Sequence, residues 1–142
     1  MNPTVEKFGY PATLLKEFRH WVVLLRPTQV TLGSLVLAAK DVATAYSGLS
    51  REAFSDQFNA VVEIERALAS FVKYERINYL MLMMVDPNVH FHIIPRYSEP
   101  RLWDGIEFRD AGWPGPPRLD CAVELQSERL TRLVTDIASN FD

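Results

Sequence analysis

The apolar positions of this chain fall into runs, and the spacing within each run predicts an element. Residues 18–26, Phe-Arg-His-Trp-Val-Val-Leu-Leu-Arg, are rich in strand-forming side chains and stop at Pro27. A second such run covers about 30–38, and the polar turn at Thr28-Gln29 makes the pair a hairpin. Gly33 inside that second run predicts a bulge or a close backbone approach. Residues 40–47 suit a short helix. Ser50 is placed to accept from a first-turn amide, and Phe54, Phe58, Val61, Leu68 and Val72 then follow helical spacing as the core face of a long helix. Residues 77–84 are almost continuously apolar and predict a third strand. Asp86-Pro87-Asn88 turns the chain into a fourth, so the third and fourth are expected to be antiparallel neighbours.

Beyond Ser98 the pattern breaks. Prolines and glycines crowd residues 98–126 with Trp103 and Trp113 among them, which predicts an ordered covering loop with a short edge strand near 105–108. Ser127 is expected to cap a closing helix whose apolar stripe is Leu130, Leu133, Val134, Ile137 and Phe141. The order β-β-α-β-β-α predicts a single α+β domain over residues 1–142, an antiparallel sheet with helices on one face.

Composition narrows the function classes. With a net charge of −3 and 23% charged residues, the chain lacks the clustered basic surface of a protein that binds long nucleic acid, although a small nucleotide needs only a few donors. A single cysteine, Cys121, excludes a disulfide framework and a cysteine-based zinc module, and is expected to be a half-buried packing residue. No apolar run approaches the ~20 residues of a membrane span. The first residues lack the basic-then-apolar order of a signal peptide, so the expected compartment is the cytoplasm.

The chemistry concentrates in residues 86–97. In a strand, Asn88, His90 and His92 point to one face while Val89, Phe91 and Ile93 point to the other. Side chains two apart stand roughly 6.5–7 Å from each other at their bases, so both imidazoles can reach one substrate or one ion. A neutral imidazole can attack phosphorus while its neighbour hydrogen-bonds the leaving oxygen. The pair could equally hold zinc with Asp86 as a further ligand.

Residues 88–97, Asn-Val-His-Phe-His-Ile-Ile-Pro-Arg-Tyr, resemble the signature of the histidine triad (HIT) family, in which three histidines alternate with apolar residues. The Pro-Arg continuation is common in its bacterial nucleotide-hydrolase-like branch and in its diadenosine-polyphosphate hydrolases. The resemblance covers about residues 10–97 and implies a HIT-like antiparallel meander whose sheet continues into a homodimer. It implies a purine nucleotide or dinucleotide as partner. The implied reaction is a hydrolase or nucleotidyl transferase step at the α-phosphorus of a phosphoanhydride, phosphoramidate or dinucleoside polyphosphate. It proceeds through a nucleotidyl-histidine intermediate and requires no metal or other cofactor.

By position, His90 matches the nucleophile, His92 the third histidine, and Asn88 occupies the first triad position in a supporting role. Ser34 stands where many members have a further histidine, Asn78 matches a polar position near the phosphate, and Arg26 lies near the ribose position. Arg96 is a candidate phosphate contact, with Asp86 or Glu99 as its other expected partners. Only Val85-Asp86-Pro87 separates the third strand from the triad, where the family commonly has a longer Gly- and Gln-bearing segment. The alternative is a nucleotide sensor of the same fold with weakened turnover.

Overall fold

The runs Trp21-Val-Val-Leu-Leu25 and Leu35-Val-Leu-Ala-Ala39 contain no polar position, so a strand made from either must be covered on both faces. A computed structural model describes residues 1–142 and shows both covered. Its elements are α1 (Pro3–Lys7), β1 (Leu14–Glu17), β2 (Trp21–Leu25), β3 (Thr28–Gln29), β4 (Leu35–Ala39), α2 (Arg51–Val72), β5 (Arg76–Leu80), β6 (His90–Arg96), β7 (Arg101–Trp103), β8 (Ile106–Phe108), β9 (Val123–Glu124) and α3 (Ser127–Ala138). Five strands form one antiparallel sheet in the order β1-β2-β4-β6-β5.

Alternation sorts the side chains between two layers. Trp21, Val23, Leu25, Leu35, Leu37, Val89 and Ile93 enter the main core with Ile64, Leu68 and Val72 of α2 and Leu133 and Ile137 of α3. Val22, Leu24, Val36 and Ala38 point the other way and form a smaller core closed by Val5 of α1. The α+β class and antiparallel sheet agree with expectation, and α2 and α3 do share one face. The short α1, which the periodicity does not predict, covers the opposite face.

Several boundaries differ from expectation, each for a local reason. The expected antiparallel pair of β2 and β4 is present, and an additional strand, β1, pairs with β2 on its other side. Between β2 and β4 the chain makes a corner built by Gln29, whose amide donates to the Arg26 and Ser34 carbonyls and accepts from the Gly33 and Ser34 amides. Gly33 has φ +93° there and approaches Leu68 and Pro95, which is the close backbone approach expected of it. Residues 40–47 form no α-helix, only a 3-10 turn over Tyr46–Gly48. Their carbonyls are taken instead by Asn2 and Asn88, and the Asp41 carboxylate accepts from the Ala43 amide.

In α2, Ser50 caps as expected, accepting from the Ala53 amide at 3.1 Å. The buried stripe, however, is Ala53, Ala60, Ile64, Ala67, Leu68 and Val72. Alanines let the helix lie close on the sheet, and Phe54 and Phe58 fall to its flank, Phe58 being 69% exposed. The third strand ends at Leu80 rather than at residue 84. The expected edge strand near 105 is a separate hairpin of β7 and β8, whose Asp104-Gly105 turn has both φ angles positive. Ser127 is the first residue of α3, whose cap, Gln126, makes no side-chain bond. Cys121 is exposed, not half-buried. No helix is long and apolar enough to cross a membrane.

Candidate active site

The histidine strand β6 lies between β4 and β5, with Ala38 opposite His90 and Val36 opposite His92. The main-core face of β6 anchors it, so the imidazoles project onto the smaller face against a fixed backbone. Asn88, His90 and His92 share that face, as the strand period predicts. The two rings stand 5.2 Å apart between centroids, nearly perpendicular.

Hydrogen bonds assign a tautomer to each ring. His90 Nδ1 lies 2.8 Å from the Asn88 carbonyl oxygen, which can only accept, so Nδ1 carries the proton and Nε2 keeps its lone pair. His92 Nδ1 accepts from Arg26 Nε at 3.3 Å, so in the neutral ring the proton sits on Nε2. One ring thus offers a nucleophilic nitrogen and the other an N–H donor. Burial, the Arg26 charge and the neighbouring His90 hold the His92 pKa down to about 4. Burial also lowers the Arg26 pKa. Arg26 is fixed by the Thr28 carbonyl and hydroxyl at 2.8 and 2.6 Å.

The remaining sequence-predicted residues lie farther along the sheet. Asn88 contributes its backbone carbonyl to His90, whereas its side chain is held by Thr4 and the Val42 carbonyl. Ser34 is buried in the β2–β4 corner, where its hydroxyl donates to the Thr31 carbonyl and accepts from the Thr31 amide. Asn78 is opposite Ile94, one strand step beyond His92, and accepts from Arg96 at 2.7 Å. Arg96 pairs with neither Asp86 nor Glu99. It makes a buried, two-pronged ion pair with Asp110 at 2.6 and 3.0 Å and also donates to the Gly115 carbonyl. Asp86 is paired with Lys7 at 2.7 Å. No group of three or more His, Cys, Asp or Glu side chains is placed to hold a metal ion. Asn78 and Arg96 instead line a cleft of about 400 Å³ with Arg76, Trp113 and Pro116.

Residues that the sequence reading did not single out complete the site. Phe8 packs against both imidazoles, at 5.5 Å from His90 and 5.7 Å from His92. Asn2 caps α1 by accepting from the Val5 amide. The signal for this helix, an Asn N-cap followed by Pro, was legible. That Phe8 would land on the histidines was not, because no local pattern encodes a contact more than eighty residues away.

No protein-family model matches the sequence, and no curated protein matches it. Solved structures do match the fold. A histidine triad protein from Bradyrhizobium japonicum superposes with a TM-score of 0.75 at 15% identity, covering 100% of this chain and 97% of its own. A hypothetical histidine triad nucleotide-binding protein from Sulfolobus tokodaii gives 0.67 at 18% identity, covering 96% and 88%. The Plasmodium falciparum diadenosine triphosphate hydrolase gives 0.64 at 12% identity, covering 96% and 92%. This chain therefore has the histidine triad fold over its whole length.

Proposed function

We propose that this protein binds a purine nucleotide or dinucleotide and cleaves it at the α-phosphorus, with His90 as nucleophile. The observation that carries this reading is the pairing of tautomers, a free Nε2 lone pair on His90 beside an Nε2–H on His92. The names of two fold neighbours, a nucleotide-binding protein and a diadenosine triphosphate hydrolase, agree with it.

In the first step His90 Nε2 forms a bond to phosphorus, and the bond from phosphorus to the leaving atom breaks with its electron pair on that atom, an oxygen departing as a phosphate anion and a nitrogen, already protonated from solvent, as a neutral amine. His92 Nε2–H donates a hydrogen bond to that atom. The Asn88 carbonyl, already accepting from Nδ1–H, stabilises the positive charge that develops on the His90 ring. Water or another acceptor then attacks phosphorus and releases its proton to solvent, the N–P bond breaks, and the lone pair returns to His90. Arg26 supports His92 and lies near the expected ribose position.

We place a second copy of the chain at β5, one of the two edge strands of the sheet. Phe54, Phe58 and Val62 form an exposed apolar stripe on the flank of α2 that also carries Glu65, whose carboxylate accepts from Tyr79 of β5 at 2.6 Å. An unpaired strand edge beside an apolar stripe suits an interface in which two sheets continue into one.

The test is His90→Ala assayed against adenosine phosphoramidate and diadenosine polyphosphates. Loss of the nucleophile should lower turnover by at least about a thousandfold. Unchanged hydrolysis would exclude the mechanism. A second reading, nucleotide binding with little turnover, is favoured by one observation: the Asn88 amide is engaged by Thr4 and Val42, leaving only its backbone to support His90. Calorimetry showing nucleotide binding without product after prolonged incubation would select it.

A further inference from the structure

The imidazoles that the proposed reaction needs are closed off. His90 is 2% exposed and His92 8%, and the two clefts of the surface lie elsewhere, one against Arg96 and Trp113, the other between the β1–β2 turn and α2. What closes the site is the segment Asn2–Phe8. No phosphorus atom can approach His90 Nε2 while Phe8 stands against both rings.

The attachment of this segment has the composition of a latch rather than of a core. Val5 is its single fully buried apolar anchor, seated on Val22, Leu24, Val36 and Ala38. Phe8, only partly buried, packs against the same small core, and the remaining fastenings are polar. Asn2 donates to the Ala39 carbonyl at 2.8 Å and to the Asp41 carbonyl at 2.9 Å. Thr4 donates its hydroxyl proton to Asn88 Oδ1 at 3.0 Å and accepts from the Asn88 amide at 3.2 Å. Lys7 reaches Asp86 at the rim, with about half of its side chain exposed. Immediately after Phe8 comes Gly9 at φ +93°, a backbone angle that favours glycine. A five-residue helix has little intrinsic stability, so this segment holds its place only through these contacts.

We propose that Asn2–Phe8 is a cover over His90 and His92, hinged at Gly9 and latched by Thr4 to Asn88, which must lift before a ligand reaches His90. Asn88 is then a positioning residue with two duties. Its carbonyl sets the His90 tautomer, and its amide side chain joins the cover to the histidine strand. An intramolecular occupant competes with substrate, so the cover lowers apparent affinity by the fraction of molecules that are closed.

The inference rests on the proposed function only in taking His90 as the reacting group, and its test needs no nucleotide. Diethylpyrocarbonate acylates accessible neutral imidazoles, and the partly exposed His20 serves as the internal reference. Modification would be read by mass spectrometry of the peptides that carry each histidine. In the parent protein His90 should react at least about tenfold more slowly than His20, as expected for access through local opening. Thr4→Val keeps the shape of the side chain and removes both latch bonds, and should speed His90 by roughly five- to thirtyfold. Phe8→Ala should speed it as well.

Amide hydrogen exchange separates lifting from unfolding. The amides of Glu6 and Phe8, bonded to the Asn2 and Thr4 carbonyls, should exchange well before those of β4 and β6, and faster still in Thr4→Val. A His90 that reacts as fast as His20 in the parent would overturn the proposal. So would a rate unmoved by both substitutions, or α1 amides that exchange only with those of β6. Absence of nucleotide hydrolysis would instead fall on the proposed function and leave these measurements intact.

Discussion

His92 shows how a buried imidazole can be assigned a role from its surroundings. Arg26 is a permanent cation with donors only, so its contact at 3.3 Å fixes which nitrogen of His92 accepts. The same charge, added to burial, holds the pKa down to about 4 against an ordinary value near 6.5. Folding therefore carries a pH dependence of definite sign. Above about pH 6.5 His92 is neutral in both states and has no effect. As pH falls from there toward 4, the unfolded chain takes up a proton that the folded site resists, so stability drops until the folded pKa is passed. Urea denaturation from pH 7 to pH 4 should show this decline, and His92→Gln should flatten part of it. A parent and variant with parallel profiles would contradict the assignment.

At the scale of elements, legibility followed the length of the pattern. The histidine strand and its antiparallel neighbour were readable because a period of two within an apolar run places every side chain. The α2 cap was readable at Ser50 because the signal is local. Its buried face was not, because alanine at Ala53, Ala60 and Ala67 marks close packing against a sheet, whereas a hydrophobic count favours Phe54 and Phe58. Ser34 and Gly33 looked like strand residues until the corner built by Gln29 claimed their backbone. Arg96 was legible as a charged residue at a strand end, but Asp110 as its buried partner was not, since the intervening loop has no periodicity. Removing either member of that pair would leave a buried charge unpaired.

The exposed stripe has a consequence of its own. If Phe58 belongs to an interface across β5, Phe58→Asp should weaken dimerisation by at least about tenfold, read by light scattering across a dilution series. A parent that is monomeric at every concentration would remove the dimer from the account.

Across the whole molecule, the sheet separates two tasks. One face carries the core that holds β6 rigid, where Ile93 and Leu37 belong to the same apolar cluster as side chains of α2 and α3. The other carries a smaller apolar layer, two imidazoles and a short cover, with fewer anchors and more polar fastenings. A site that must open belongs on the less stable face, and one that must position a nucleophile needs the rigid strand beneath it.

The proposed reaction stands on a covalent bond between His90 Nε2 and phosphorus. Quenching the protein during turnover of adenosine phosphoramidate and sequencing its peptides by mass spectrometry would reveal that bond. A nucleotidyl group should be found on His90 in the peptide spanning β6 and be absent from His90→Ala. Turnover with no such adduct, or an adduct on His92 instead, would contradict the proposed reaction.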